Sequence, residues 1–151
     1  MKLRTWFRAV AVALLLSPIG AQAAEEARPS VAPVAQVYRA AGSQLTVTVV
    51  RVGEKEAGEY LIQFSGVDSK FNDRIIKHRC TVSDRKTDCY NEEMREGGKY
   101  YAFVGRSGWF SSQGFSAYLP DVADDSIYLY YDRGASEQVN PEHFLTAYLS
   151  Q

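Results

Sequence analysis

The chain is poor in the residues on which most catalytic and metal sites depend. Its 151 residues include two cysteines and two histidines, His78 and His143. A serine triad or a histidine-rich metal centre would have to use one of these imidazoles. No H-x-x-x-H, G-x-S-x-G or P-loop pattern occurs. We therefore expect no metal, no cofactor and no catalytic activity.

The chain also lacks an excess of basic charge and a long apolar run. Its 17 basic and 18 acidic residues give a formal net charge of −1, so it has no basic field of the kind that captures a phosphate backbone. The leading apolar segment, 9–16, is far shorter than the roughly 20 residues that span a bilayer. We expect no nucleic-acid partner and no membrane span.

The first residues have the three parts of an export signal. One lysine and two arginines form a basic leader, 9–16 are apolar, and 21–23 offer an A-x-A cleavage site. We predict a cleaved signal peptide over 1–23, a mature chain from Ala24, and export to the periplasm of a Gram-negative bacterium. Cleavage removes three basic residues and no acidic ones, so the mature chain would carry 14 − 18 = −4.

The two cysteines predict a disulfide, because Cys80 and Cys89 lie in a chain with an export signal. If Asp84 and Arg85 form the two-residue tip of a hairpin, the two cysteines face each other across its strands. The C-x-x-C spacing of a redox pair is absent. The bridge is therefore expected to be structural.

Alternating apolar and polar residues recur in short segments separated by turn residues. This period-2 pattern is typical of half-buried strands. Three segments show this pattern: 45–52, 59–65 and 75–82. Segment 87–91 is expected to be the hairpin partner of the third, and 100–104, 115–119 and 127–131 are further runs rich in residues that favour strands. They predict an all-β fold, a small barrel or sandwich of about seven antiparallel strands.

The segment after the signal has no apolar periodicity. It is small, charged and proline-bearing between residues 25 and 33. We therefore predict a flexible N-terminal tail over 24–43 and a single β-rich domain over 44–151.

The domain is predicted to end in a short helix. Asn140 fits the N-cap and Pro141 the first helical position. Phe144, Ala147 and Tyr148 then share one face, which we expect to dock on the sheet because so short a helix is marginal alone.

Few side chains remain as candidates for chemistry. His78 alternates onto the apolar side of its predicted strand, which favours a hydrogen-bonded core histidine; the alternative is a pocket around it. His143 is expected on the surface. The acidic run 121–125 lacks the spacing of a calcium loop and predicts a solvated turn.

The stretch GRSGWFSSQGFS, residues 105–116, is the strongest candidate for a binding site. Aromatic residues among glycines and serines offer a large contact area at low entropic cost, and an arginine beside them can bind a carboxylate. One aromatic ring covering the end of the core is the alternative. The predicted binding residues are Arg106, Trp109, Phe110, Gln113 and Phe115.

Two short motifs resemble those of the membrane-bound C-type lysozyme inhibitors. These are small exported β-barrels with an S-G-x-x-Y strand start and a loop carrying F-W-x-K-G. The matching stretches here are GGKY at 97–100 and WFSSQG at 109–114. The basic residue of the loop is missing and the cysteines are placed differently. The resemblance implies an envelope barrel whose aromatic loop plugs a hydrolase cleft.

Together these features predict a periplasmic binding protein without catalysis. Its function would be that of an inhibitor or immunity factor, and its partner a protein, such as a cell-wall or envelope hydrolase, bound through 105–114. The alternative is a small envelope enzyme or ligand carrier with a pocket near His78.

Overall fold

A computed structural model describes residues 27–106, 114–122 and 126–151. Eight antiparallel strands follow one another in chain order and close into a barrel in which the last strand pairs with the first. They are β1 (Gln36–Ala40), β2 (Thr46–Val52), β3 (Glu59–Ser65), β4 (Ile75–Val82), β5 (Thr87–Asn91), β6 (Tyr100–Gly105), β7 (Phe115–Ala117) and β8 (Ile127–Tyr131). The all-β prediction is confirmed, and the open choice between barrel and sandwich is decided for a barrel.

Three short helical segments accompany the strands. A 3-10 turn, Lys55–Ala57, joins β2 to β3, and two helices, α1 (Arg133–Gln138) and α2 (Pro141–Leu149), follow β8. The predicted capping of α2 is confirmed, since the Asn140 side chain accepts hydrogen bonds from the amides of Glu142 and His143. No helix in the described ranges is both long and apolar enough to cross a bilayer.

The first strand lies within the segment 24–43 that was predicted to be a flexible tail. It pairs with β2 and β8, so the tail prediction is wrong for 36–40. Val37 and Tyr38 are both buried although they are consecutive. The period-2 pattern of a half-buried strand is therefore missing from this segment.

Residues before β1 are also attached to the domain. The amide of Gly53 donates to the carbonyl of Ser30 at 2.8 Å, and the amide of Ala32 donates to the carbonyl of Arg51 at 3.0 Å. Arg28 reaches α2, where its guanidinium donates to the carbonyl and carboxylate of Glu142. The described part of the expected tail thus connects β2 with the C-terminal helix.

The hairpin β4–β5 has the register expected from the cysteine spacing. Cys80 faces Cys89 and the two form a disulfide. The amide of Ser83 donates to the carbonyl of Lys86, which closes the two-residue tip. The disulfide prediction is confirmed. A bridge that closes a loop this short is expected to add about 2–3 kcal/mol to the free energy of unfolding.

Aromatic rings fill one part of the barrel interior. Phe103 and Phe115 stack with ring centroids 4.2 Å apart and planes 5° from parallel. Tyr38 packs edge-on against both, at 5.3 Å and 4.9 Å. Stacked and edge-to-face contacts suit the ring quadrupole, so this cluster joins β1, β6 and β7 into one core.

Helix α2 packs on the outside of the barrel. Leu145 is 1% exposed and contacts a second apolar cluster with Val52, Leu61 and Ile75. Burying a leucine side chain contributes about 1.5–3 kcal/mol. The docking prediction holds, but Leu145 rather than Ala147, which is exposed, is at the centre of the contact.

Candidate functional site

The structure separates the residues that were predicted to form the binding site. Arg106 is exposed just after β6. Phe115 is 1% exposed in the core, so its ring is not available to a partner and the prediction that it binds one is wrong. Trp109, Phe110 and Gln113 lie outside the described residues.

His78 is a hydrogen-bonded core residue, as the favoured interpretation predicted. It is 1% exposed; its Nδ1 lies 2.9 Å from the carbonyl oxygen of Ile76, and its Nε2 lies 2.8 Å from the amide nitrogen of Asn91. A carbonyl oxygen requires a donor, so Nδ1 carries the proton and Nε2 accepts from Asn91. Burial lowers the pKa of His78 to about 4.

This geometry leaves His78 little capacity for chemistry. A groove of about 470 Å³ lies beside it, lined by Glu59, Lys77, Arg79, Tyr90, Asn91, Glu92 and Glu93 as well as His78. Both imidazole nitrogens are already engaged within the protein. A substrate in this groove would have to displace Asn91 or Ile76 before it reached the ring.

Asp121, the first residue of the acidic run, joins its own loop to the loop at Ser69 and Lys70; residues 123–125 of that run lie outside the described residues. The Asp121 carboxylate accepts hydrogen bonds from the Ser69 hydroxyl and the Lys70 amide, both at 2.7 Å. Partial desolvation alone would raise the pKa of Asp121, but these hydrogen bonds lower it below the usual range. Among the described residues, no group of three or more metal-ligating side chains is close enough to hold an ion.

A group of tyrosines covers the outer surface of the barrel on the side away from α2. We call Tyr90, Tyr101, Tyr118, Tyr128 and Tyr130 the tyrosine wall. Tyr101, Tyr118, Tyr128 and Tyr130 are 48%, 38%, 53% and 54% exposed. They are four of the seven exposed large apolar side chains in the described part of the chain, so exposed apolar area is concentrated on one side.

Four of the five tyrosines of the wall form two pairs of rings in contact. Tyr128 and Tyr130 pack edge to face with centroids 4.9 Å apart and planes at 83°, and Tyr90 and Tyr101 are 5.6 Å apart. The ammonium of Lys99 lies 4.5 Å from the centre of the Tyr90 ring, a cation–π contact. Such contacts restrict the rings before any partner binds.

Gly114 allows the wall to lie flat against the end of β7. A Cβ atom added at this position would overlap the hydroxyl and ring of Tyr128. The Tyr128 ring therefore rests on the backbone of Gly114. The tyrosine wall is in this way continuous with the end of the segment that sequence analysis selected.

Two arginines lie beside the tyrosine wall at its end nearest to α1. Arg39 on β1 pairs with Tyr130 on β8 in the strand register, and its guanidinium forms a 2.7 Å ion pair with Asp132. A groove of about 390 Å³ runs between Tyr130, Arg39 and Arg133. The amide of Ala135 and the guanidinium of Arg39 lower the pKa of Asp132, which keeps this carboxylate charged.

Helix α1 fixes the position of this groove. The Asp132 carboxylate caps the helix by accepting from the amide of Ala135 at 2.9 Å. The Ser136 hydroxyl accepts from the amide of Val37 and donates to the carbonyl of Asp132. These bonds join α1 to β1, so the positions of Arg39 and Arg133 are fixed relative to each other at the backbone.

The tyrosine wall was not predicted from the sequence, because the sequence of β8 is IYLYY. Tyrosines occupy both faces of this strand, since Tyr131 is packed against the core while Tyr128 and Tyr130 are exposed. An alternating pattern identifies the outer face only when its residues are polar. The one signal in the sequence was the number of tyrosines, ten in all.

No protein-family model, curated protein or solved structure matches this chain.

Proposed function

We propose that this chain is an exported binding protein without catalytic activity, an inhibitor or immunity factor that acts on an envelope-directed enzyme. The tyrosine wall is the observation that carries the proposal. Exposed tyrosines with restrained rings are typical of interaction hot spots, because they bury a large area at a small entropic cost. Exposed apolar residues grouped on one side of a protein often mark an interaction site.

The filled interior of the barrel supports binding through the outer surface. Eight-stranded barrels enclose a small ligand only where their inward side chains leave space. Here Tyr38, Phe64, Phe103 and Phe115 are fully or almost fully buried and belong to one core cluster. The interior is therefore occupied by the protein's own side chains at these positions.

Partner capture by matched variants tests the proposal. The Tyr101→Ser and Tyr130→Ser variants should each weaken capture from an envelope extract roughly thirtyfold, which corresponds to about 2 kcal/mol. Leu149→Ala serves as the control, because Leu149 is 53% exposed on α2. If the tyrosine variants and the control capture the same protein with the same affinity, the wall is not the binding surface.

We propose the periplasm as the location because the first residues have the pattern of an export signal. The disulfide is consistent with this location, since disulfides form and persist in oxidising compartments. The mass of the protein isolated from the periplasm should correspond to a chain that starts at Ala24 and is two hydrogens lighter than the dithiol. Recovery of the full-length chain from the cytoplasm alone would contradict export.

A further inference from the structure

We infer that the end of the tyrosine wall nearest to α1 binds a protein surface rich in aspartate and glutamate. This inference rests on the proposed function and specifies the chemistry of the partner. Its residues are Tyr128, Tyr130, Arg39, Arg106 and Arg133, which we call the arginine end.

The strand register aligns most of these residues in one outward-facing row. Gly105, Phe115, Leu129 and Ala40 occupy paired positions on β6, β7, β8 and β1. Phe115 and Leu129 are buried in the core, and side chains alternate between the two faces of a strand. The next row, which holds Arg106, Tyr130 and Arg39, therefore faces outward.

The spacing of this row suits a protein surface. Arg106 and Arg39 are separated by three strand spacings, about 14 Å along the barrel wall. The Tyr128 and Tyr130 rings occupy the space between them. An aromatic centre with arginines on both sides has the composition of an interface hot spot, in which tyrosine and arginine are enriched.

The charge of the arginine end is positive although the chain as a whole is not. Its three arginines and the Asp132 carboxylate that pairs with Arg39 carry a formal charge of 3 − 1 = +2, against −1 for the whole chain. Lys86 and Asp88, which the register of β5 and β6 places beside Arg106, form an ion pair with each other and add no net charge. Arg106 and Arg133 are exposed and form no ion pair with a described residue. Their guanidinium groups match carboxylates in shape and charge.

The ring geometry favours a polypeptide over a glycan chain. Tyr128 and Tyr130 stand at 83° to each other, so they do not form a flat platform on which successive sugar rings could stack. Arginine forks supply the directional contacts for carboxylate side chains. The pair of carboxyl groups that flanks the scissile bond in most glycoside hydrolases is one example of this chemistry.

Synthetic copolymers of defined charge test the inference directly. A random copolymer of glutamate and tyrosine should bind the protein at low salt, and a copolymer of lysine and tyrosine should not. Binding should weaken as salt is added, because exposed charges are screened. Dextran sulfate and chitohexaose are measured in parallel as a polyanion that is not a polypeptide and as an uncharged glycan.

Charge-reversal variants locate the binding. The double variant Arg106→Glu/Arg133→Glu should reduce affinity for the acidic copolymer by about tenfold or more. The control is Arg79→Glu, because Arg79 is exposed on β4, four strands away from β8 in the closed barrel. The melting temperature of each variant is measured to test whether the fold is retained.

The outcomes separate this inference from the proposed function. Equal binding of both copolymers, tighter binding of dextran sulfate or chitohexaose, or an equal loss in the Arg79→Glu control would overturn the inference. If the tyrosine variants still lose partner capture in that case, the proposed function stands with a different partner chemistry. If the tyrosine variants capture the partner normally, the proposed function itself fails.

Discussion

Asn91 holds the imidazole of His78 in its neutral form. The Asn91 side-chain amide donates to Nε2 of His78 at 2.8 Å, and its oxygen accepts from the amides of Glu93 and Met94. Because the oxygen is already used, Asn91 cannot easily turn to accept a proton from a charged imidazole. This pair connects the interior of β4 to the turn that follows β5.

The first prediction is an acid-sensitive stability that depends on His78. The pKa of His78 is lowered from 6.5 to about 4 in the folded protein. Its neutral form therefore supports the fold fully above pH 6.5. As the pH falls from 6.5 to 4, the unfolded chain takes up a proton that the folded chain does not, and the free energy of unfolding should fall by about 3 kcal/mol.

Urea unfolding at a series of pH values measures this change. In His78→Gln the slope of the free energy of unfolding against pH, between pH 4 and 6.5, should decrease by roughly 1.4 kcal/mol per pH unit, which corresponds to the uptake of one proton on unfolding. His143→Gln is the control, because His143 is exposed on α2. An unchanged slope in His78→Gln would show that another group titrates.

The second prediction separates two residues that sequence analysis placed in one site. Phe115→Ala should reduce the free energy of unfolding by about 3–5 kcal/mol, because it removes a ring stacked on Phe103 in the core. Arg106→Ala should change it by less than about 0.5 kcal/mol. Chemical unfolding of both variants provides the comparison, and a stable Phe115→Ala protein would place that ring outside the core.

The third prediction concerns Gly66, where the backbone has a φ of +76°. A Cβ atom at this position would overlap the carbonyl oxygen of Gln44. Gly66→Ala should therefore lower stability by more than about 1 kcal/mol. Gly98→Ala is the matched control, since no atom lies within 4 Å of a Cβ built there and its φ is not positive. Equal melting temperatures would contradict the conflict at Gly66.

The fourth prediction tests the docking of α2. Leu145→Ala should cost about 2–5 kcal/mol, because Leu145 is 1% exposed between the helix and the barrel. Leu149→Ala, at a 53% exposed position of the same helix, should cost less than about 0.5 kcal/mol. Both variants replace leucine by alanine, so the change in helix propensity is similar at the two positions. If their unfolding midpoints agree, α2 contributes no packing energy.

Local signals predicted the features that depend on neighbouring residues. The cysteine spacing gave the register of β4 and β5, and the Asn140–Pro141 pair gave the start of α2. Helix α1 was not predicted, because it has six residues and includes Gly134 and Ser136, which are poor helix formers. Its stability comes from the cap at Asp132 and the bonds of Ser136 to β1.

Features that depend on distant residues were not accessible in the same way. Phe115 adjoins a run of glycine and serine, and it belongs to the core through its contacts with Tyr38 on β1 and Phe103 on β6, which are distant in sequence. Arg39 and Arg133 of the arginine end line one groove because β1 pairs with β8, the strand that precedes α1. Closure of the first strand on the last is a property of the whole chain, so no local pattern reports it.

Closure of the sheet also restricts the way in which a partner can attach. Many peptide-binding domains receive an extended segment as an additional strand along a free sheet edge. Here each of the eight named strands already has a neighbour on both sides, so a barrel of this kind offers no such edge. A partner that bound along these eight strands would therefore contact their side chains rather than add a strand to the sheet, and a point substitution on that surface would be expected to change its affinity.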